Sequence, residues 1–193
     1  MPFGRPVLET FTKMSREIDV NKRDSQKTTF LFAPTLRKDT SLEHPFRLLQ
    51  KTLATQLSLT NANILWSMHP LEETGLASGQ INMMLHEADY VITDYSSIVY
   101  EAFLLKKKVL FYVPDIEEYR DSPGLNTDPE VISPEITFRD MDALIAFLQQ
   151  VVFGDASYCD FPLKRFVGDT FDEFPFSPAE KIVEHTIDQF RKG

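Results

Sequence analysis

The sequence predicts an α/β fold in which a Rossmann-like parallel sheet carries helices on both faces. Short apolar runs rich in β-branched and aromatic residues alternate along the chain with segments of helical apolar spacing. Such alternation is typical of a parallel sheet covered on both sides. The composition agrees, because 193 residues with 42% apolar and 25% charged side chains suit a globular protein with a sizeable core.

The elements follow in order after a polar segment at Lys22–Lys27. We therefore expect an N-terminal amphipathic segment and linker over residues 1–27, then a Rossmann-like domain with a C-terminal helix over residues 28–193. Apolar runs predict strands at Thr28–Ala33, Ala62–Ser67, Tyr90–Thr93 and Val109–Tyr112. Helical spacing and capping signals predict helices that begin near Pro45, Ile81, Ser97, Met141 and Ser177.

The charge balance restricts the classes of function. Lys and Arg number 20 against 29 Asp and Glu, so the net charge is −9. Nucleic-acid binding and general membrane-surface binding both need a basic footprint, so we expect neither. The single cysteine, Cys159, excludes an intramolecular disulfide and fits a reducing compartment. With no apolar stretch near the ~20 residues of a membrane span and no signal-peptide core, the sequence predicts a cytoplasmic protein.

Polar side chains follow each predicted strand. In an open parallel sheet, ligands bind at the carboxyl ends of the strands. Hydroxyls, a histidine and an arginine are therefore expected to converge on one edge as a phosphate-binding crevice. In strand order, these side chains are Pro34, Thr35 and Arg37, then Met68 and His69, then Asp94 to Ser97, then Asp115, Glu117 and Glu118.

Ser96 and Ser97 stand where a helix is expected to begin. Unpaired backbone N–H groups and two hydroxyls there favour a phosphate oxygen. Serine is also a good helix cap, and capping alone accounts for both residues. Glu101, one turn later, either accepts from sugar hydroxyls or complements the helix dipole.

His69 follows a predicted strand and precedes Pro70. Its imidazole could donate to a pyrophosphate oxygen and stabilise a departing nucleotide, or it could be a structural histidine. The other three histidines, His44, His86 and His185, are interpreted as surface or packing residues. Asp140 and Asp142 resemble a metal-binding pair, but acids are expected at a helix start, so no metal and no cofactor is predicted.

These motifs together resemble the CDP-glycerol glycerophosphotransferases of teichoic acid synthesis. The likeness covers about residues 3–190 and rests on APTLR at 33–37, MHP at 68–70 and ADYVITDYSS at 88–97. The resemblance implies a glycosyltransferase-B-like fold of two Rossmann-like domains, of which this chain is the C-terminal, nucleotide-binding one. It also implies an N-terminal acceptor half or partner chain, so this chain alone is expected to be incomplete for catalysis.

The resemblance also assigns roles to residues. Pro34 and Thr35 match a pair that contacts the CDP moiety, Met68 and His69 match a segment that reaches the pyrophosphate, and Ser96 and Ser97 match phosphate-binding serines. Glu101 falls where the family usually has an aspartate. The candidate donor and phosphate ligands are therefore Pro34, Thr35, Arg37, Met68, His69, Ser96, Ser97 and Glu101, with His69 as the catalytic candidate.

The resulting hypothesis is a domain that binds CDP-glycerol or a similar donor. The full enzyme would transfer glycerol phosphate to a polyol-phosphate or glycan acceptor, release CMP, and work at the inner face of the membrane. Two departures from the family pattern, Val7 and Ser67, replace expected arginines. They keep two alternatives open: a nucleotide-binding module that performs no transfer, and a related transferase with another nucleotide-linked donor.

Overall fold

The computed structural model describes residues 27–35, 44–55, 61–67, 78–125 and 127–158. The chain divides into two compact units, one of residues 22–166 and one that joins residues 1–21 to residues 167–193. Everything described below belongs to the first unit. The predicted N-terminal segment, the boundary at residue 27 and the predicted last helix fall outside the described residues and stay predictions.

The described part of the chain alternates strands and helices. The strands are β1 Thr28–Phe32, β2 Ala62–Trp66, β3 Tyr90–Thr93, β4 Lys108–Tyr112 and β5 Thr137–Phe138. The α-helices are α1 Pro45–Thr55, α2 Ser78–Glu87, α3 Ile98–Leu104, α4 Ile116–Asp121, α5 Pro129–Ile132 and α6 Met141–Phe153, and a 3₁₀ turn covers Pro134–Ile136. Among these residues, no helix combines the length and the apolar character needed to cross a membrane.

All five strands are parallel and lie in the order β2-β1-β3-β4-β5. β1 is the hub, since Phe30 pairs with Ile64 of β2 on one side and with Tyr90 of β3 on the other. The chain therefore leaves β1 in one direction to form β2 and returns past it to form β3. This arrangement confirms the predicted fold class and the four predicted strands, whose limits agree to within one residue.

The core explains why these residues form these elements. All four residues of β3 are buried, as are Phe30, Leu31 and Phe32 of β1. Strands buried on both faces are read in sequence as continuous apolar runs, which is why they were predictable. Phe46, Leu49 and Leu53 form the buried stripe of α1, as the helical spacing predicted.

After β4 the structure adds a helix, α4, that the sequence did not predict. Asp115 occupies the N-cap position of α4 without a side-chain capping bond, and Glu117 and Glu118 lie in the first turn of that helix. Further on, α5, the 3₁₀ turn and β5 are also additions to the prediction. These elements are only two to six residues long, so they are too short to show an apolar periodicity that could be recognised in the sequence.

Candidate functional site at the carboxyl edge of the sheet

The carboxyl ends of β1 and β3 form the topological switch point of the sheet, where ligands of open α/β folds bind. The strands stay joined past their last ladder residues, because the Ala33 amide donates to the Ile92 carbonyl (2.9 Å). The Thr93 hydroxyl donates in turn to the Ala33 carbonyl (2.8 Å). The loops that begin at Pro34 and at Asp94 therefore leave the sheet side by side, as the crevice hypothesis requires.

Asp94 holds these two loops together. Its side chain is buried, and its Oδ1 accepts from the Thr35 amide at 2.8 Å and from the Tyr95 amide at 2.6 Å. Each bond has a charged acceptor and is therefore stronger than a neutral one. Thr35 and the Tyr95–Ser97 segment are thus positioned relative to each other by one carboxylate.

His44 supports Thr35 from the other side. It is buried and directly precedes α1, where its Nδ1 accepts from the Phe46 amide at 3.1 Å. The proton must then be on Nε2, which donates to the Thr35 carbonyl at 3.1 Å. The imidazole therefore caps α1 and fixes the Thr35 loop at once. The sequence predicts a surface or packing role for His44; the structure shows a capping residue, as its position before Pro45 at a helix start would also suggest.

The side chains of the two serines in the β3–α3 loop make little contact with the amides at the start of α3. Ser97 occupies the cap position but makes no capping bond with its side chain, and Ser96 Oγ accepts from the Ile98 amide only at 3.4 Å. The helix begins at Ile98, one residue later than predicted. A side-chain capping bond therefore does not account for Ser97, and its role in phosphate binding stays a prediction.

A cavity of about 400 Å³ opens beside these serines, and we call it the carboxyl-edge cavity. The β3–α3 loop forms one wall, and the segment that follows α4 forms the other. Its lining comprises Asp94, Tyr95, Ser96, Ser97, Val99, Tyr100, Tyr119, Pro123, Gly124, Leu125 and Thr127. The volume lies within the range of small-molecule sites, about 300–1,000 Å³.

Tyr95 connects the two walls of the carboxyl-edge cavity. Its ring stacks on Tyr119 with centroids 3.9 Å apart, and its hydroxyl donates to Asp115 Oδ1 at 3.1 Å. Asp115 therefore acts through Tyr95 and does not line the cavity itself. Tyr100 and Tyr119 were not among the predicted ligands, because no local pattern indicates that Tyr119 stacks on Tyr95, 24 positions away.

The remaining candidates are placed as follows. Pro34 is buried at the end of β1, whereas Glu101 lies one turn along α3, outside the lining of the carboxyl-edge cavity and with Oε2 shielded from solvent. Ser67 follows β2 at the same sheet edge, where its amide donates to the Phe32 carbonyl (2.8 Å). Arg37, Met68, His69 and Val7 fall outside the described residues, and their roles stay predictions.

An ion-pair cluster borders the second wall of the carboxyl-edge cavity. Arg120 lies 2.9 Å from Glu117, 2.7 Å from Asp128 and 2.9 Å from Glu130. Arg139 contacts both Glu117 (2.8 Å) and Glu130. Hydrogen bonds from Arg139 and then Arg120 lower the pKa of the Glu130 carboxyl. Through Arg120 and Asp128 the cluster joins the two ends of the segment that carries Pro123 to Thr127.

The cluster predicts an acid-sensitive stabilisation. Because the pKa of Glu130 is lowered by folding, its contribution is fully present above the ordinary value of 4.5 and is lost as the pH falls through the lowered value. We expect Glu130→Gln to reduce the free energy of unfolding at pH 7 by about 0.5–1 kcal/mol, and less at high salt. Urea denaturation at pH 7 and at pH 3 measures the difference, which should shrink at pH 3.

Glu118→Gln is the matched control, because it removes a carboxylate from α4 that takes no part in the cluster. A Glu130→Gln effect equal to that of Glu118→Gln at both pH values would contradict the assignment.

In the part of the chain that the structure describes, no three His, Cys, Asp or Glu side chains gather as a metal site. Asp140 of the pair considered in the sequence instead caps α6, accepting from the Ala143 amide at 2.8 Å. The groups that the structure brings to the carboxyl edge include side-chain hydroxyls, backbone amides, aromatic rings and the Asp94 carboxylate, which is already bonded to two amides. This set suits an organic phosphate.

The fold is a doubly wound α/β domain with a candidate ligand site at the carboxyl edge of its sheet. The family model described as CDP-Glycerol:Poly(glycerophosphate) glycerophosphotransferase matches residues 8–161. The chain belongs to this family. The resemblance read from the sequence motifs is thereby confirmed.

Curated relatives are enzymes of teichoic acid synthesis. The chain is 28% identical over 157 residues to the teichoic acid ribitol-phosphate polymerase TarL of Staphylococcus aureus (strain NCTC 8325 / PS 47), a match covering 72% of this chain and 28% of TarL. It is 31% identical over 107 residues to the teichoic acid poly(glycerol phosphate) polymerase of Bacillus subtilis (strain 168), covering 55% of this chain and 14% of that protein.

The fold has a solved counterpart. The structure of the wall teichoic acid polymerase TagF matches with a TM-score of 0.60 at 20% identity and covers 96% of this chain and 48% of that one. The chain thus spans about half of the solved polymerase and about a third or less of the two curated relatives described above. At this identity the match supports the fold, in agreement with the predicted glycosyltransferase-B-like domain.

Proposed function

We propose that this domain binds the nucleotide-linked donor of a glycerophosphotransferase, with CDP-glycerol as the leading candidate. One observation carries the proposal: Asp94 holds the Thr35 loop and the Ser96–Ser97 loop together at the switch point of a chain that belongs to this family. Hydroxyls and backbone amides placed there can bind phosphate oxygens without a metal.

The reaction that fits this site is a phosphoryl transfer. An acceptor hydroxyl oxygen attacks the phosphorus that carries glycerol, the bond from that phosphorus to the bridging oxygen breaks, and CMP leaves with the electron pair. Thr35, Ser96 and Ser97 would hold the pyrophosphate. His69 would donate a hydrogen bond to the departing CMP and so stabilise the developing charge.

The acceptor side belongs to the same proposal. A base on an acceptor half of the enzyme, or on a partner chain, would remove the hydroxyl proton, and a polyol-phosphate or glycan chain would be the acceptor. Catalysis needs this base within about 3 Å of the proton, so the donor domain is expected to work only together with that half. We place the reaction in the cytoplasm, at the inner face of the membrane.

Ser67 supports a second candidate, a nucleotide-binding module that performs no transfer. It ends β2 at the carboxyl edge, where many family members carry an arginine. The loss of one charge-assisted bond to a pyrophosphate weakens binding by about 1.5–3 kcal/mol. Weak binding without turnover in the presence of the acceptor half would favour the module.

Calorimetric titration with CMP, CDP-glycerol, UDP and ADP tests the donor assignment. We expect the cytidine nucleotides to bind tighter than the other two. Ser97→Ala should weaken CDP-glycerol binding by a factor of about 2–10, the worth of one neutral hydrogen bond. The melting temperature should stay unchanged, because the Ser97 side chain does not cap α3.

Ser157→Ala, an exposed serine outside the carboxyl-edge cavity, is the control. Equal binding of all four nucleotides, or none, would refute the cytidine assignment. If Ser97→Ala lowered the melting temperature and left CDP-glycerol binding unchanged, Ser97 would have a structural role only.

A further inference from the structure

A second concave site lies at the opposite, amino edge of the sheet, where β1, β3 and β4 begin. It is a cleft of about 530 Å³, which we call the amino-edge cleft. Four lysines line it: Lys27, Lys106, Lys107 and Lys108. In a chain of net charge −9, four of the 20 basic side chains are thus concentrated in one cleft.

Lys107 differs from the other three lysines in its contacts. Lys107 Nζ donates to the His86 carbonyl at the end of α2 (2.7 Å), which is a helix-terminating contact. Within the described ranges, no carboxylate forms an ion pair with Lys27, Lys106 or Lys108. The one carboxylate that lines the cleft, that of Asp89, accepts from the Thr29 amide at 2.9 Å.

Lys106 is held in an unusual backbone conformation. Its φ of +54° lies in the left-handed region at the position just beyond α3, where glycine is the usual residue. A lysine there can also complement the negative end of the helix dipole. The helix dipole explains a lysine in the turn after α3. It does not explain Lys27 or Lys108, which lie at the starts of β1 and β4.

Lys108 is positioned by an aromatic wall. Its Nζ lies 3.1 Å from the Tyr90 hydroxyl, 4.9 Å from the Tyr90 ring centroid and 5.6 Å from that of Tyr158. The two rings meet edge to face, and the Tyr158 hydroxyl accepts from the Val109 amide (2.9 Å). The ammonium group is therefore oriented before any ligand arrives, and cation–π contact stabilises it there.

We propose that the amino-edge cleft binds a phosphodiester chain, through Lys27, Lys106 and Lys108. The cleft has the size of a site for several linked groups and exceeds what a single phosphate fills. The distant carboxylates that make the chain acidic oppose such binding little, because the Debye length is about 10 Å at 0.1 M salt. The identity of the chain as the polyol-phosphate polymer rests on the proposed function, which makes such a polymer the acceptor and product.

Fluorescence anisotropy with a fluorescein-labelled glycerol-phosphate oligomer and the full chain tests this site. We expect Lys108→Gln to weaken binding about fivefold, the worth of one lysine near an anionic surface, and Lys106→Asn/Lys108→Gln to weaken it about 25-fold. Asparagine is chosen at 106 because it tolerates the left-handed conformation. Lys51→Gln on α1 removes one charge outside the cleft and should leave binding unchanged.

Three further measurements separate the possible outcomes. Melting temperatures of all variants verify folding, and CMP binding at the carboxyl edge should be the same in each. Retained oligomer binding without any nucleotide binding would remove the donor assignment and leave the phosphodiester site standing. An oligomer affinity that the double variant does not change would overturn the site. The proposal would also be overturned if the protein bound vesicles containing phosphatidylglycerol and did not bind the oligomer, because this face would then be a membrane contact.

Discussion

Replacing Asp94 by alanine is expected to lower the free energy of unfolding by about 3 kcal/mol or more and to abolish measurable donor binding. The substitution leaves the Thr35 and Tyr95 amides without the carboxylate that accepts from both, and each hydrogen bond to a charged group is worth about 1.5–3 kcal/mol. Urea denaturation can be followed through the single tryptophan, Trp66, whose ring stacks on Phe32 of the neighbouring β1 at 4.3 Å.

Two variants control the Asp94 experiment. Asp94→Asn keeps an acceptor oxygen and loses the charge, so both its stability and its donor affinity should fall between those of the wild type and the alanine variant. Asp121→Asn removes an exposed carboxylate at the end of α4 and should change little. An alanine variant that unfolds like the wild type and still binds CDP-glycerol would show that Asp94 does not organise the site.

Replacing His44 by alanine is expected to cost about 2–3 kcal/mol of stability. The loss combines a helix cap, typically about 1 kcal/mol, with the bond to the Thr35 carbonyl and the packing of a buried ring against Phe46. Donor binding should weaken as well, because the Thr35 loop loses its bond to the His44 ring. Urea denaturation and calorimetric titration measure the two effects separately.

Two substitutions divide the functions of the His44 ring. Asparagine places an oxygen near the position of Nδ1, so His44→Asn should keep the cap of α1 and lose the tether to Thr35. Glutamine reaches the position of Nε2, so His44→Gln should keep the tether and lose the cap. We expect the asparagine variant to be the more stable and the glutamine variant to bind the donor better. The reverse order would contradict the assignment of the two nitrogens.

The main strands of the sheet could be predicted because a buried strand is a run of neighbouring apolar residues in the sequence. Every residue of β3 is buried and three of the four, Tyr90 to Ile92, form a continuous apolar run, while α1 carries its buried stripe at helical spacing. β5 could not be predicted in this way. It has two residues, Thr137 and Phe138, and exists because they pair with Phe111 and Tyr112 of β4.

Some features of the candidate site could likewise be predicted from the sequence, and others could not. Pro34, Thr35, Ser96 and Ser97 could be placed at one edge from the sequence, because parallel strands send their carboxyl ends to the same side. The bonds of Asp94 and His44 to Thr35 join residues 59 and nine positions apart. No local pattern encodes such contacts.

The sequence by itself determined the class of fold, the positions of four strands along the chain and the family, since apolar periodicity and short motifs are properties of neighbouring residues. Only the tertiary structure decided how the site is held and what forms its second wall. Tyr95 contacts Asp115 and Tyr119, which lie 20 and 24 positions further along the chain, and four lysines line one cleft because three strands begin at the same edge. The physical reason is that long-range contacts depend on how whole helices and strands pack against each other. That packing is determined by the total apolar surface buried in the core, which no single segment of the sequence shows.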